Sequence, residues 1–412
     1  MKTAEELYNE RWQLICDTIE LKSTSRVPNC TRFDTWPYME YGITRAQAMR
    51  DYDKAAECYR RFFREFSPDV GSTDGFTYPA RAYELAGIKN VRWPGDPKGL
   101  DENAPYQFIE YATMEENEYD EYLNTPIQFV IGKYLGRVST TFEPLSKLNY
   151  PMMATHVTEY VSEFTKPEML EMYDKLKECA KEIAAYRKYK SGLVKEIEAM
   201  GFPFLSGGGS ATAFDMLGDY MRGTFGMMPD LMEQPENVKR ALSRFVKYHI
   251  DHSLSISKAT GSKFAWVMLH KGFDNFIGDD TYREFYWPYL QEWILAMVDN
   301  GLTPIVFCEG SYTTRLKYLA DVPDKKVIYL FEEVDLKEAK RILGGHCCIM
   351  GGFPIYTLTN GTVDEVKDKV KEVLDIMAPG GGYLFSTSCC IDYGPRANIE
   401  ALFETLEQYG KY

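Results

Sequence analysis

Five of the nine cysteines lie in the last quarter of the chain: Cys308, Cys347, Cys348, Cys389 and Cys390. They sit in three pieces: Val306-Phe307-Cys308-Glu309-Gly310, His346-Cys347-Cys348-Ile349-Met350-Gly351-Gly352 and Ser386-Thr387-Ser388-Cys389-Cys390-Ile391-Asp392. Each reads as a buried β-strand running into a loop. Glu309, Cys348 and Cys389 are far apart in sequence, so a site they share has to be assembled by the fold. Parallel strands with their loops gathered at one end would do this. One carboxylate and two thiolates meeting there make a transition-metal set, with Zn²⁺ as the leading ion. His270 and Lys271 follow another apolar run and stand at a strand end, where they could contact a substrate.

The bulk properties limit what such a site can serve. The chain has 412 residues, 45% hydrophobic and 26% charged, which is the composition of a globular protein with a sizeable core. The net charge of −14 argues against a nucleic-acid backbone or an anionic membrane as partner. No apolar run approaches the roughly 20 residues that span a bilayer. The start, Met1-Lys2-Thr3-Ala4-Glu5-Glu6-Leu7, lacks the apolar core of a signal peptide, so a cytoplasmic location is expected. Two of the cysteine pairs are adjacent, a poor framework for disulfides, and thiols in a reducing compartment fit better.

The elements that would position these residues read as follows. Residues 4–20 are an amphipathic helix with Leu7, Trp12, Ile15, Cys16 and Ile19 at helical spacing. A strand at 26–30 leads into an aromatic loop, 33–42, in which Trp36, Tyr38 and Met39 are candidates for a substrate pocket, together with Lys271. Thr44 caps a helix over 45–65, and Pro68-Asp69-Val70-Gly71 ends a second strand. Residues 75–200 are irregular and acidic until a Lys/Glu-rich helix at 167–200. They read as an insertion or cap rather than a linker. Residues 201–206 are strand-like and run into Gly207-Gly208-Gly209-Ser210, a close backbone turn under a substrate. From there, strands at 262–269, 304–307, 327–331, 346–350 and 383–386 alternate with helices at 280–300, 313–321, 336–343, 362–377 and 396–408. With the two early strands the count is eight. That is the arithmetic of an α/β fold of the (β/α)₈ barrel type, with an N-terminal helical extension (1–22), an insertion after the second strand (75–200) and the site-bearing part at 201–412. An open doubly wound sheet is the alternative.

Gly351-Gly352-Phe353-Pro354 followed by Thr359-Asn360-Gly361-Thr362-Val363-Asp364-Glu365-Val366 resembles a segment of the uroporphyrinogen decarboxylase superfamily. Gly380-Gly381-Gly382-Tyr383-Leu384-Phe385-Ser386 resembles that family's last strand, and Pro395-Arg396-Ala397-Asn398-Ile399 its last helix start. The resemblance implies a (β/α)₈ barrel. Where the decarboxylases carry an arginine-rich segment for substrate carboxylates, this chain has Cys30-Thr31-Arg32-Phe33-Asp34-Thr35-Trp36-Pro37, with one arginine among aromatics. The corrinoid-dependent methyltransferase branch is the better likeness.

That branch carries a His-x-Cys metal pair at the fifth strand end, where this chain has Phe307-Cys308-Glu309. The resemblance then implies Glu309, Cys348 and Cys389 as metal ligands, with Cys390 as the fallback for Cys389, and Cys348 chosen over Cys347 by the family register. Glu332 is implied as a fourth ligand or a general acid; His270, from its place at a strand end, is a further catalytic candidate. The implied function is an O-demethylase. It moves a methyl group from a small methoxylated, aromatic substrate to the Co(I) corrinoid (cobalamin) of a partner protein, with Zn²⁺ as Lewis acid on the ether oxygen. A zinc-dependent methylcobamide:thiol methyltransferase of the coenzyme M type is the alternative, followed by a decarboxylase-like or ligand-binding barrel without metal. The chain has no corrinoid-binding signature of its own. A corrinoid protein is the expected partner, and a homodimer is one expected assembly.

Overall fold

The structure is a computed structural model that describes residues 2–411 apart from 76, 150–152, 154–155 and the side chain of Ser210. Its centre is a parallel sheet of six strands in sequential order: β1 (Gly207–Ala211), β2 (Phe264–Leu269), β3 (Thr303–Ser311), β4 (Ile328–Glu333), β5 (Cys348–Gly351) and β6 (Tyr383–Leu384). From β2 on, the strands are apolar runs because helices cover one face and the interior fills the other. Two earlier extended segments close the ring. Cys30 N donates to Phe385 O at 2.8 Å, Asp69 N to Asn29 O at 2.7 Å and Gly71 N to Pro203 O at 2.8 Å. Eight staves thus surround one interior, the (β/α)₈ barrel expected from the strand count.

The N-terminal end of the barrel is plugged by α1 (Ala4–Ile19). A capping box between Thr3 and Glu6 starts this helix. Its Ile15 and Ile19 pack with Cys30, Val70, Phe264, Ile305, Ile328 and Cys348. Arg11 Nη1 donates to Gly201 O at 2.6 Å and ties the plug to the chain's re-entry into the barrel.

Several elements differ from the sequence reading. The helix expected over 45–65 breaks, because Asp51 accepts from Lys54 N at 3.1 Å and caps a new start. Helices Arg45–Ala48 and Tyr52–Glu65 result. The strand expected at 201–206 lies at 207–211, so the glycines form the strand and not a turn. A Cβ on Gly207 would meet Phe264 O at 2.0 Å, and one on Gly208 would meet the Ile256 side chain at 2.9 Å. The glycines let β2 and the helix Pro235–Thr260 approach closely. His346 sits in a turn before β5, with Nε2 at 2.9 Å from Val322 O and Nδ1 at 3.1 Å from Asp324.

The excursion between the second and third staves contains a short antiparallel ribbon, Val91–Arg92 with Gln107–Phe108, and the helix Pro167–Ala199. Beyond the ribbon it returns onto the barrel at Glu110. Among the described residues, no helix is long and apolar enough to cross a membrane.

Candidate active site at the barrel mouth

β3 runs past Phe307 to Ser311, and its pairing with β4 shifts between Cys308 and Ser311. Such a bulge re-aims a side chain where a strand leaves the sheet. Gly310 makes it possible: its φ is +84°, and a Cβ there would meet Phe273 at 2.8 Å. Its N–H donates to Glu332 Oε2 at 2.7 Å. Glu309 and Glu332 thereby stand side by side at the C-terminal mouth. His270, one residue past β2, brings Nε2 to 3.9 Å from Glu309 Oε2.

Two carboxylates absent from the sequence reading hold His270 and Lys271. Thr212 caps the short helix Ala213–Leu217, which carries Asp215, and Asp219 stands four residues on in the helical turn Gly218–Arg222 that continues it. Asp215 accepts from the backbone N–H groups of His270 (3.0 Å) and Lys271 (2.9 Å) and from the Tyr286 hydroxyl (2.8 Å). Asp219 Oδ2 pairs with His270 Nδ1 at 2.6 Å, and its Oδ1 lies 2.8 Å from Lys271 Nζ. Glu110 and Thr224 Oγ1 take the rest of that ammonium at 2.8 and 2.9 Å. Gly218 makes room for the lysine stem, which a Cβ would meet at 2.7 Å. A strand-end polar pair, preceded at the end of the neighbouring strand by Asp-x-x-x-Asp behind a Thr cap, was the available signal.

The electrostatics follow from this wiring. Burial opposes a charge on His270, but the Asp219 hydrogen bond and the fields of Asp215 and Glu309 outweigh it and raise the imidazole to about 9. Burial raises Glu309 to about 7 against the pull of His270, with Glu332 adding to the rise. Burial would also raise Asp219, but the hydrogen bonds from His270 and Lys271 hold it below the ordinary carboxylate range. At neutral pH the mouth holds an imidazolium beside a carboxyl group that is near its own titration point.

Cys389 and Cys390 are half-buried at the same end. Burial pushes the Cys389 thiol up to about 12 and raises Cys390 too, while the Arg32 guanidinium opposes both shifts. Arg32 stacks over the Trp266 ring at 4.6 Å, and its Nε is buried without a hydrogen-bond partner.

Cys348 does not join this group. It opens β5 level with Ile328, which is itself level with Ile305, so it lies four residues below Glu309 and Glu332. That is about 13 Å along a strand rising about 3.3 Å per residue. A zinc ion reaches its ligands at about 2.0–2.3 Å. Cys348 faces the interior, as its parity and the family register required, but packs in the apolar bottom layer against the α1 plug. The expected set Glu309, Cys348 and Cys389 therefore does not fit one ion. Among the described residues, no group of three or more His, Cys, Asp or Glu is arranged to hold one.

The expected pocket residues are also redistributed. Trp36 and Tyr38 are buried in the protein core. Trp36 packs edge-on against Phe33, Phe62 and Phe66 and donates to Gly394 O, while Tyr38 packs on Tyr59. Met39 points outward and is exposed. Lys271 is sealed by its three partners. Aromatic side chains near the mouth come both from the loop after β2, where Phe273 and Phe276 lie beside Gly310 and Lys271, and from the excursion. Burial raises the Tyr106 phenol, and Tyr78, Glu309, Asp34 and Asp219 add their fields. Tyr106 and Tyr83 also line a cavity of about 60 Å³ with Asp34, Arg45 and Asp392.

The sequence profile of the family described as uroporphyrinogen decarboxylase (URO-D) matches residues 142–409, well over half of the chain. The chain belongs to the URO-D family. Within that match lie His270, Glu309, Glu332, Cys389 and the Asp215–Asp219 pair, whereas Glu110 and Tyr106 fall outside it. The chain is also similar to methylcobamide:CoM methyltransferase MtbA of Methanosarcina acetivorans, 26% identical over 137 residues, 32% of this chain and 38% of that protein. It is similar to the uroporphyrinogen decarboxylase of Chlorobium luteolum, 27% identical over 153 residues, 35% of this chain and 43% of that protein. The matched stretches thus span less than half the length of these relatives. A solved methyltransferase from Methanosarcina mazei shares the fold across 99% of both chains, with TM-score 0.60 and 14% identity.

Proposed function

We infer that this URO-D family member is a corrinoid-dependent methyltransferase of the O-demethylase type. It would move a methyl group from a small methoxylated aromatic substrate to the Co(I) corrinoid of a partner protein. The observation that carries the reading is the His270 imidazolium, held on Asp219 and turned toward Glu309 at the C-terminal mouth. An ether oxygen leaving a methyl carbon keeps the bonding electron pair and needs a proton. His270 would supply it from Nε2, as a general acid. The corrinoid supplies the electron pair that forms the new bond to carbon. Asp215 fixes the backbone from which His270 projects, Glu309 stands 3.9 Å from the Nε2 that gives up the proton, and the imidazole is left neutral once the oxygen has taken it.

Zinc as a Lewis acid on the ether oxygen would need donors other than the set Glu309, Cys348 and Cys389, which does not meet around one ion. The second reading, transfer between a methylcobamide and a thiol, is favoured by the similarity to the methylcobamide:CoM methyltransferase.

The test is methyl transfer from methoxyarenes to a reduced corrinoid protein, followed by the cobalt absorbance. The rate should hold up to pH about 9 and fall above it as His270 loses its proton. His270→Gln should cost about 10²–10⁴-fold, the range for general acid catalysis. Activity with methylcobalamin and a thiol but with no methoxyarene would transfer the assignment to the second reading.

A further inference from the structure

Glu110 reaches the site from the excursion, outside the stretch that the URO-D profile covers. Its two oxygens do separate work: Oε2 accepts from Lys271 Nζ at 2.8 Å and Oε1 accepts from Thr224 N at 2.5 Å. The excursion packs here against the backbone of Gly223, whose φ of +66° favours glycine; Tyr111 and Ala112 lie at ordinary contact distance from it, 3.4 Å from where a Cβ would stand. Lys271 is 7% exposed, so its charge has little water to fall back on. It has three protons and three acceptors, Glu110, Thr224 and Asp219. Asp219 is a single carboxylate divided between two cations, Lys271 on Oδ1 and His270 on Oδ2.

We propose that Glu110 is a positioning residue for His270, acting through Lys271 and Asp219. By taking its share of the buried ammonium, Glu110 leaves one oxygen of Asp219 free to hold His270 Nδ1 and aim Nε2 at Glu309. Without Glu110, Lys271 keeps Asp219 as its one carboxylate and draws it away from the imidazole. The excursion is then a working part of the site and not only a cover over it. This inference rests on the proposed role of His270 for its kinetic arm alone.

The experiment compares wild type, Glu110→Gln and the double variant Glu110→Gln/Lys271→Met. The readouts are the downfield proton resonance of His270 Nδ1–H, assigned with His270→Gln, and kcat and KM for methyl transfer. Glu110→Gln should broaden or shift the resonance and lower kcat about tenfold with KM changed less than about threefold, the size expected for a lost orienting contact. The double variant removes the unmatched ammonium and should restore the resonance and most of kcat.

A resonance unchanged in Glu110→Gln would overturn the proposal. So would a double variant no better than the single one, or a change confined to KM. The resonance needs no methyl donor or acceptor. If it follows the prediction while no substrate is turned over, the methyltransferase reading fails and the positioning role stands.

Discussion

Asp34 is buried just past the first stave, with Asp392 and Asp74 close enough to repel it. Burial first, then these two carboxylates, raise it to about 7, while the Gly75 N–H at 2.6 Å and Lys190 pull the other way. In the unfolded chain it would titrate near the ordinary aspartate value. Between about pH 4 and 7 the folded protein therefore holds more protons than the unfolded chain, and stability falls as pH rises through that window. Asp34→Asn keeps the acceptor for Gly75 and removes the charge. Its melting temperature should exceed that of wild type at pH 8 and match it near pH 4. Parallel melting curves for the two proteins across that range would refute this account. The same scale shows where reading side chains from sequence succeeds. Glu309, Glu332 and His270 were visible as polar residues ending apolar runs. Asp215, Asp219 and Glu110 were not, because each acts through contacts with an element remote in sequence.

At the scale of elements, β5 and α1 decide what Cys348 does. Strand alternation says which side chains face inward, but not how far up the barrel they sit. That level depends on where the strand begins and on its register with β4. Since β5 begins at Cys348, the thiol belongs to the plugged end. Cys348→Ala should leave methyl transfer unchanged within about twofold and cost on the order of 1 kcal/mol of stability in denaturant titrations, the scale of a small buried deletion. Ile15→Ala, in the plug beside it, should cost about 2–5 kcal/mol by the same titration. A Cys348→Ala protein that is stable but inactive would return Cys348 to the site. The bulge in β3 is the opposite case. Reading the strand as ending at Phe307 missed it, and Glu309 lies inside that bulged stretch, within 3.9 Å of His270.

For the whole molecule, metal content tells which chemistry the mouth supplies. Glu309 with Cys389 or Cys390 are the donors at the correct end, and elemental analysis after purification without chelator tests them. Stoichiometric zinc that is lost in Glu309→Ala and in a cysteine variant, and retained in Cys348→Ala, would place a Lewis acid beside His270. Full turnover in chelator-treated protein without zinc would leave proton transfer from His270 to carry the reaction. The sequence by itself determined an alternation of strands and helices, because strand and helix periods and apolar runs are local properties; that the staves close into a ring rather than an open sheet rests on pairings between distant segments. It also determined which end carries polar chemistry, since only the loop-proximal ends of the runs change character. The tertiary structure alone decided which residues meet there. Depth along the barrel axis, the return of the excursion to Lys271 and the sharing of Asp219 between two cations are relations between distant segments, and no local pattern encodes them.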